Sequence, residues 1–191
     1  MKVLISFAFV FFTVVSCKKD KAEFVPSTVE STTESITYTQ NLGANSPNWF
    51  SATTMDGLSL PEISKDPGLH ESIVFGFYNE GETYAFYSPD VFPKMYGQEN
   101  WITRRSVRFR RSNISFQQFF EMVDKYQENI PVQEILNAWR NGVNEKNHMA
   151  NFQEGEIWTF QTIDRKITGL MMIQSVNSFF DKIQAAIWVA K

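Results

Sequence analysis

The sequence predicts an α+β fold in which an antiparallel sheet of meander order carries two short helices on one face. Three observations support this. Apolar and alternating runs separated by turn residues fill positions 49–111, which is the pattern of β-strands. Positions 115–142 place apolar side chains at helical spacing instead, and the last third returns to strand patterns. Short sequential connections favour an antiparallel sheet over a parallel α/β sheet.

The first half of the domain is predicted to form four strands. A turn is expected at Asp56-Gly57, loop chemistry at 65–68, and a hairpin turn at 79–82. The second strand is a nearly continuous apolar run, so we expect it to be central and buried on both faces. In chain order the four predicted strands are residues 49–54, 73–78, 83–87 and 101–111.

Two helices are predicted next. Ser115 and Gln118 form a capping box that begins the first helix. Pro131 suits the first turn of the second, and Gly142 suits its end. The expected apolar faces are Phe116, Phe119, Phe120, Val123 and Tyr126 in the first helix, and Val132, Ile135, Leu136 and Trp139 in the second. Three final strands are predicted at residues 156–162, 167–176 and 183–190.

The first twenty residues predict a lipoprotein signal. Lys2 supplies a positive charge, and residues 3–15 are an apolar run shorter than the roughly 20 residues that a membrane-spanning helix needs. Val14-Val15-Ser16-Cys17 resembles the lipobox of bacterial lipoproteins. That resemblance implies removal of the signal peptide at 1–16 and lipidation of Cys17, the only cysteine. The alternative is a core or free thiol in a chain that happens to start with apolar residues.

The residues after Cys17 bear on location. An Asp at the second mature position resembles the inner-membrane retention signal of enteric bacteria, and this chain has Lys18 there. Residues 18–23 resemble in part a surface-export signal of Bacteroidota, although Lys19 and Lys21 interrupt the acidic run. We therefore expect a lipid anchor in the outer membrane of the cell envelope, on either the periplasmic or the surface face.

A flexible tether is predicted between the anchor and the domain. Residues 17–48 are rich in Ser and Thr, and residues 27–35 contain one aliphatic side chain, too little to offset the entropy of ordering. Residues 36–39 alternate and suggest a short strand added to the domain edge, but linker is the assignment for most of this region. Residues 49–191 are then the single globular domain.

One order of segments runs through the domain: residues 72–78, then Tyr87-Ser88-Pro89, a strand at 101–109, a phenylalanine-rich helix, and Gly155-Glu156-Ile157 opening a terminal hairpin. This order is similar to that of uncharacterised lipoproteins of Bacteroidota. The resemblance implies an envelope compartment and these fold boundaries. It implies no activity and no functional residue.

The arginine-rich strand is the strongest candidate for ligand binding. A two-residue period places Arg104, Arg108 and Arg110 on one face together with Ser106. A row of guanidinium groups can bind carboxylate, sulfate or phosphate through paired hydrogen bonds. Near a membrane the candidates are an acidic polysaccharide, lipid headgroups or an acidic protein. The alternative is a solvent-facing strand whose arginines pair with neighbouring acids.

Aromatic and acidic residues give weaker candidates. Exposed aromatic rings stack on sugars, and the ones least clearly assigned to a core are Trp49, Tyr84, Tyr87, Tyr96 and Trp101. Core burial is the alternative for each of them. A carboxylate pair of the glycosidase kind is conceivable among the acids at Glu80-Gly81-Glu82 and Glu154-Gly155-Glu156, although such acids usually lie at solvated hairpin ends.

Few other residues of the sequence could act in catalysis or bind a metal. His70 and His148 are the only histidines and lie outside any metal-binding spacing, so we expect them at the surface, with no metal and no cofactor. With 18 basic and 21 acidic side chains the chain is mildly acidic, which argues against general nucleic-acid binding. We therefore expect a non-catalytic module that binds an envelope glycan or a protein partner. A carboxylate-dependent hydrolase and a structural accessory subunit of an outer-membrane complex are the alternatives.

Overall fold

The computed structural model describes residues 24–191, apart from residues 42, 82 and 180 and the side chain of Glu80. Within this range the chain forms two antiparallel sheets and three α-helices, an α+β architecture with mostly β content. The predicted signal peptide at 1–16, Cys17 and residues 18–23 lie outside the described residues.

The strands and helices alternate irregularly along the chain. The strands are β1 (Val29–Thr37), β2 (Trp49–Ser51), β3 (Asp56–Leu58), β4 (Ile73–Glu80), β5 (Thr83–Tyr87), β6 (Val107–Arg111), β7 (Val143–Lys146), β8 (His148–Ala150), β9 (Ile157–Thr162), β10 (Thr168–Asn177) and β11 (Lys182–Ala190). The helices are α1 (Leu60–Lys65), α2 (Phe116–Tyr126) and α3 (Val132–Asn141), with 3₁₀ turns at Pro67–Ser72 and Gln98–Asn100.

The strands divide into a six-stranded sheet of order β1-β11-β10-β9-β6-β7 and a five-stranded sheet of order β3-β2-β4-β5-β8. The predicted terminal meander is confirmed, because β9, β10 and β11 are consecutive antiparallel neighbours. The hairpin of β4 with β5 is confirmed as well, and β4 is central between β2 and β5. The sequence led us to expect one sheet. The structure has two, since each sheet must bury its apolar face against another layer.

A phenylalanine cluster joins the two sheets. Phe75 of β4 lies with its ring centroid 5.0 Å from that of Phe50, 4.9 Å from Phe86 and 5.5 Å from Phe160. All four side chains are fully buried. Gly169 of β10 lies under the Phe160 ring, where a Cβ atom would overlap the ring. The main core is therefore a layer of interlocking aromatic rings between the sheets.

Helices α2 and α3 cover the outer face of the six-stranded sheet, as predicted. Ser115 caps α2 and forms a capping box with Gln118, and α3 ends at Gly142. Their buried side chains, Phe119, Ile135 and Ala138, pack on the outward side chains of β9, β10 and β11. The predicted apolar face of α2 is wrong for Phe116 and Phe120, which are 52% and 46% exposed. The helix contacts the sheet over a narrow line through Phe119, whose ring packs edge-on against Trp188.

The region predicted as tether contains a full strand of the domain. Val29–Thr37 pairs with β11 through nine consecutive residues, whereas the sequence suggested a short strand at 36–39 within a linker. Ile36 is completely buried and Val29 is half-buried, and the other seven positions are polar, which suits an edge strand with side chains facing solvent. Backbone pairing with an apolar neighbour orders this segment despite its polar composition.

The strand predicted at 101–111 is shorter than expected. Only Val107–Arg111 pairs with neighbouring strands, and residues 101–106 form a loop. The loop is held by side chains, since Ser106 donates a hydrogen bond of 2.5 Å to Asp90 and the backbone N–H of Ile102 donates to Nδ1 of His70. The turn after β2 lies at residues 52–55 rather than at the predicted Asp56-Gly57. Helix α1 was not expected from the sequence.

Candidate functional site

An open groove of about 810 Å³ lies on the outer face of the six-stranded sheet, beside α3. β6 and β9 form its floor, α3 forms one wall, and the stretch from Phe24 to Pro26 contributes to another. Its lining residues are Phe24, Val25, Pro26, Arg108, Arg110, Gln133, Leu136, Trp139, Arg140, Glu145, Gln161, Thr162, Ile163 and Arg165. We call this the arginine groove.

The alternation of side chains along β6 directs Arg108 and Arg110 into the groove. Val107 and Phe109 point into the core between the sheets and are fully buried, so Arg108 and Arg110 point to the opposite, helix-covered face. Opposite them on β9 are Gln161 and Thr159. The predicted sharing of a face by these two arginines is therefore confirmed.

Arg110 is held in place by three groups. Its Nε and Nη2 both donate to one carboxylate oxygen of Glu145, at 2.9 and 2.6 Å, and its Nη1 donates to the backbone carbonyl of Trp139 at 3.0 Å. The guanidinium carbon also lies 4.3 Å from the centroid of the Trp139 ring. This guanidinium is positioned before any ligand arrives, which lowers the entropy cost of using it.

Arg108 and Arg140 contribute positive charge without an anionic partner. Arg108 Nη1 donates to the carbonyl of Val107 at 3.2 Å, and Arg140 Nη1 lies 3.5 Å from the side-chain oxygen of Asn137. No carboxylate of the described residues forms an ion pair with either one. Among the described lining residues, Arg110 and Arg165 bring the guanidinium groups of the groove to four, and the carboxylate is that of Glu145. These described side chains carry a net positive charge, although the whole chain is mildly acidic.

The other arginines of the arginine-rich stretch at residues 104–111, namely Arg104, Arg105 and Arg111, lie outside the groove. Arg104 is exposed in the loop before β6 and does not line the groove, so its predicted place on the same strand face is wrong. Arg105 lies 3.3 Å from Asp164 and 3.7 Å from Glu71, and Arg111 lies 2.6 Å from Glu156. These two arginines match the alternative interpretation of the cluster, in which arginines pair with neighbouring acids. The pairing leaves their charge largely compensated.

The aromatic candidates for sugar binding belong largely to cores. Trp49 and Tyr96 are buried with Phe92 in a cluster beside the five-stranded sheet, and Trp101 packs on Trp49 with centroids 4.8 Å apart. Tyr84 and Tyr87 are half-buried on β5. The aromatic residues that line the groove are Phe24 and Trp139, and Trp139 was expected from the sequence to lie in a helix core. The position of Trp139 directly before Arg140 at the end of α3 is the sequence feature that could have indicated its place in the groove.

The acidic candidates are not brought together in a groove. Glu156 is paired with Arg111 and accepts a hydrogen bond from the indole N–H of Trp158 at 3.0 Å, while Glu154 is exposed in the preceding turn. The side chain of Glu80 and all of Glu82 lie outside what the structure describes. The described acids therefore give no support to the hydrolase alternative.

The prediction of two surface histidines is wrong for His70. Its ring is buried and stacks on Trp101 with centroids 5.0 Å apart, because the 3₁₀ turn Pro67–Ser72 folds it under the 101–106 loop. Burial lowers the pKa of His70, opposed by the nearby charge of Asp66. His148 is half-buried on β8, stacked on Tyr87. Neither histidine lines the arginine groove.

The described residues contain neither a metal-binding cluster nor a membrane-spanning helix. Among them, no cluster of three or more His, Cys, Asp and Glu side chains has metal-binding geometry. None of the helices in residues 24–191 is long and apolar enough to cross a membrane.

Comparison with known proteins gives one informative match. A crystal structure of a DUF4466 family protein from Parabacteroides merdae superposes with a TM-score of 0.54 at 15% sequence identity, over 85% of this chain. Only 54% of that structure is covered, so this chain spans about half its length. The two chains share a fold. The family name denotes a domain of unknown function in a Bacteroidota species, which agrees with the resemblance to uncharacterised Bacteroidota proteins.

No protein-family model matches the sequence, and no curated protein matches it. At 15% identity the match to the Parabacteroides protein concerns the fold and carries no residue of the arginine groove.

Proposed function

We propose that this protein is a lipid-anchored, non-catalytic binding module of the bacterial cell envelope, and that the arginine groove binds an anionic group of its ligand. The observation that carries the proposal is the convergence of four guanidinium groups from three separate parts of the fold on one groove, whose described lining residues include one carboxylate. β6, α3 and the β9–β10 turn each supply arginine to it. Arg108 is half-buried and Arg140 is exposed, and neither forms an ion pair with a described carboxylate, so both can bind an anion through charge-assisted hydrogen bonds.

The shape of the groove suits a ligand larger than a bare ion. Trp139 and Leu136 give it an apolar wall, and the side chains of Gln133 and Gln161 give it hydrogen-bonding groups. Arg110 is already fixed by Glu145 and Trp139, so Arg108 and Arg140 are the groups free to close on a carboxylate, sulfate or phosphate. An acidic envelope glycan or another anionic envelope component has this chemistry.

The Arg108→Ala and Arg140→Ala double variant is expected to bind anionic probes at least about tenfold more weakly, because each lost charge-assisted hydrogen bond contributes about 1.5–3 kcal/mol. Isothermal titration calorimetry with oligogalacturonate, inorganic sulfate and inorganic phosphate measures the effect. Arg104→Ala is the matched control, since Arg104 is an exposed arginine of the same cluster outside the groove. The proposal would be contradicted by an equal loss of affinity in the double variant and in Arg104→Ala. It would also be contradicted if the wild-type protein bound none of the three probes.

The anchor is tested by metabolic labelling with an alkyne fatty acid in a bacterial host that processes lipoproteins. The wild-type chain is expected to carry the label and to partition into membranes, because diacyl modification of Cys17 supplies two acyl chains, enough for stable anchoring. Cys17→Ala should remove the label completely, whereas Ser16→Ala, which keeps a small residue before the cysteine, should retain it. Label that persists in Cys17→Ala would show that the thiol is not the attachment point.

A further inference from the structure

We infer that the rim of the arginine groove docks on the anionic bilayer that holds the anchor, with the groove arginines on the phosphates of lipid headgroups. This inference rests on the proposed function and names the source of the anion. It comes from three features that meet at the groove: exposed apolar side chains, Arg108 and Arg140 with no ion pair among the described residues, and the start of the described chain.

The apolar part of the rim consists of Phe24, Val25 and Ile163. These side chains are 47%, 66% and 57% exposed, and all three line the groove. Arg165, also exposed, lies two residues beyond Ile163 in the β9–β10 turn. Apolar side chains beside basic ones form the pattern of a surface that enters the interfacial region of a bilayer, where the apolar groups meet acyl chains and the cations meet phosphates.

The position of Phe24 limits how far the groove can be from the anchor. Phe24 lies seven residues after Cys17 in the sequence. A chain of that length spans at most about 25 Å when fully extended. Because Val29–Thr37 is part of the sheet, the segment available as a tether ends near Phe24 rather than near residue 48. The groove wall is therefore the first part of the described domain that follows the anchor.

Charge explains why this surface, and not the whole protein, would meet an anionic membrane. The chain has a net charge of −3, so a bilayer rich in anionic lipid repels it on average. The described lining of the groove has the opposite charge, since Arg108 and Arg140 have no ion pair among the described residues and Arg110 is balanced by Glu145. An acidic glycan would bind the arginines equally well, but it would leave the apolar rim in contact with water. A lipid surface provides phosphates for the arginines and acyl chains for the apolar rim.

The test uses residues 18–191, which contain every strand and helix of the two sheets and all of the described core clusters. Without Cys17 this chain has no acyl anchor, so vesicle binding reports the domain surface alone. We expect cosedimentation with vesicles of phosphatidylcholine containing phosphatidylglycerol and little with pure phosphatidylcholine. Affinity should fall about fivefold for each of Arg108 and Arg140 replaced by alanine.

Apolar and arginine contributions are separated by a second variant. Phe24→Ser with Ile163→Ser should weaken binding to the anionic vesicles by a larger factor than it weakens the binding of oligogalacturonate or inorganic phosphate, because these soluble anions have no acyl chains to contact the apolar rim. Ile102→Ser is the matched control, because Ile102 is 82% exposed and does not line the groove. Circular dichroism melts check that all variants fold, which is expected since the replaced apolar side chains are exposed.

The outcomes distinguish the inference from the proposed function. Groove-dependent binding of soluble anions without vesicle binding would overturn the membrane inference and keep the proposed function. Vesicle binding that survives both the arginine and the apolar substitutions would also overturn it. Failure of soluble anions and vesicles alike would overturn both.

Discussion

Replacing Phe75 by alanine is expected to lower the free energy of unfolding by about 3–5 kcal/mol, the range for removing a fully buried phenylalanine. Phe75 lies in the middle of the core between the sheets, with ring contacts to Phe50 and Phe86 of its own sheet layer and to Phe109 and Phe160 of the other. Truncation therefore leaves a cavity lined by aromatic rings from both sheets. Rigid rings on paired strands cannot collapse easily into that space.

Chemical denaturation followed by tryptophan fluorescence measures this loss. Phe179→Ala is the matched control, because its side chain is 86% exposed in the β10–β11 turn and its removal should change stability by less than about 0.5 kcal/mol. A loss below about 1 kcal/mol for Phe75→Ala would mean that the two sheets do not share this core.

A chain that starts at Trp49 is expected to be less stable than a chain that starts at Lys18 by about 3 kcal/mol or more, since Ile36 and Tyr38 are buried and their burial contributes roughly 1.5–3 kcal/mol each. Removing β1 also leaves β11 as a sheet edge. Its inward side chains, Ile183 and Ile187 among them, would lie next to an unpaired backbone, which is an aggregation-prone arrangement. The melting temperature should fall by about 6–12 °C.

Differential scanning calorimetry of three chains, residues 18–191, 24–191 and 49–191, measures this difference in stability. Residues 24–191 keep β1 and should melt within about 2 °C of residues 18–191, because both chains contain every described strand and helix. Residues 49–191 should melt lower or precipitate. Equal melting temperatures for all three chains would show that β1 adds nothing to the domain and would restore the predicted tether up to residue 48.

The candidate site was only partly accessible from the sequence. Alternation along β6 correctly placed Arg108 and Arg110 on one face, because strand periodicity is a local property. Arg104 was assigned to the same face by extending that period into residues 101–106, where contacts of Ser106 and His70 hold a loop. Arg140, Arg165 and Trp139 were not associated with the site, since they approach β6 only after α3 and β9 pack beside it.

The sequence alone determined the features that depend on neighbouring residues. Ser115 and Gln118 specify the start of α2, Gly142 the end of α3, and the apolar run before residue 79 the central strand β4. Each of these signals acts within a few residues, through a cap, a turn or a repeat, so it can be recognised without knowing the rest of the fold.

The tertiary structure decided which strands share a sheet and which side chains meet. Val29–Thr37 is too polar to be recognised as part of the domain. It is ordered by antiparallel pairing with β11, which follows it by about 150 positions in the chain. The arginine groove likewise exists only where three distant parts of the chain converge. The free energy of such contacts comes from long-range pairing and burial, which no local pattern in the sequence contains.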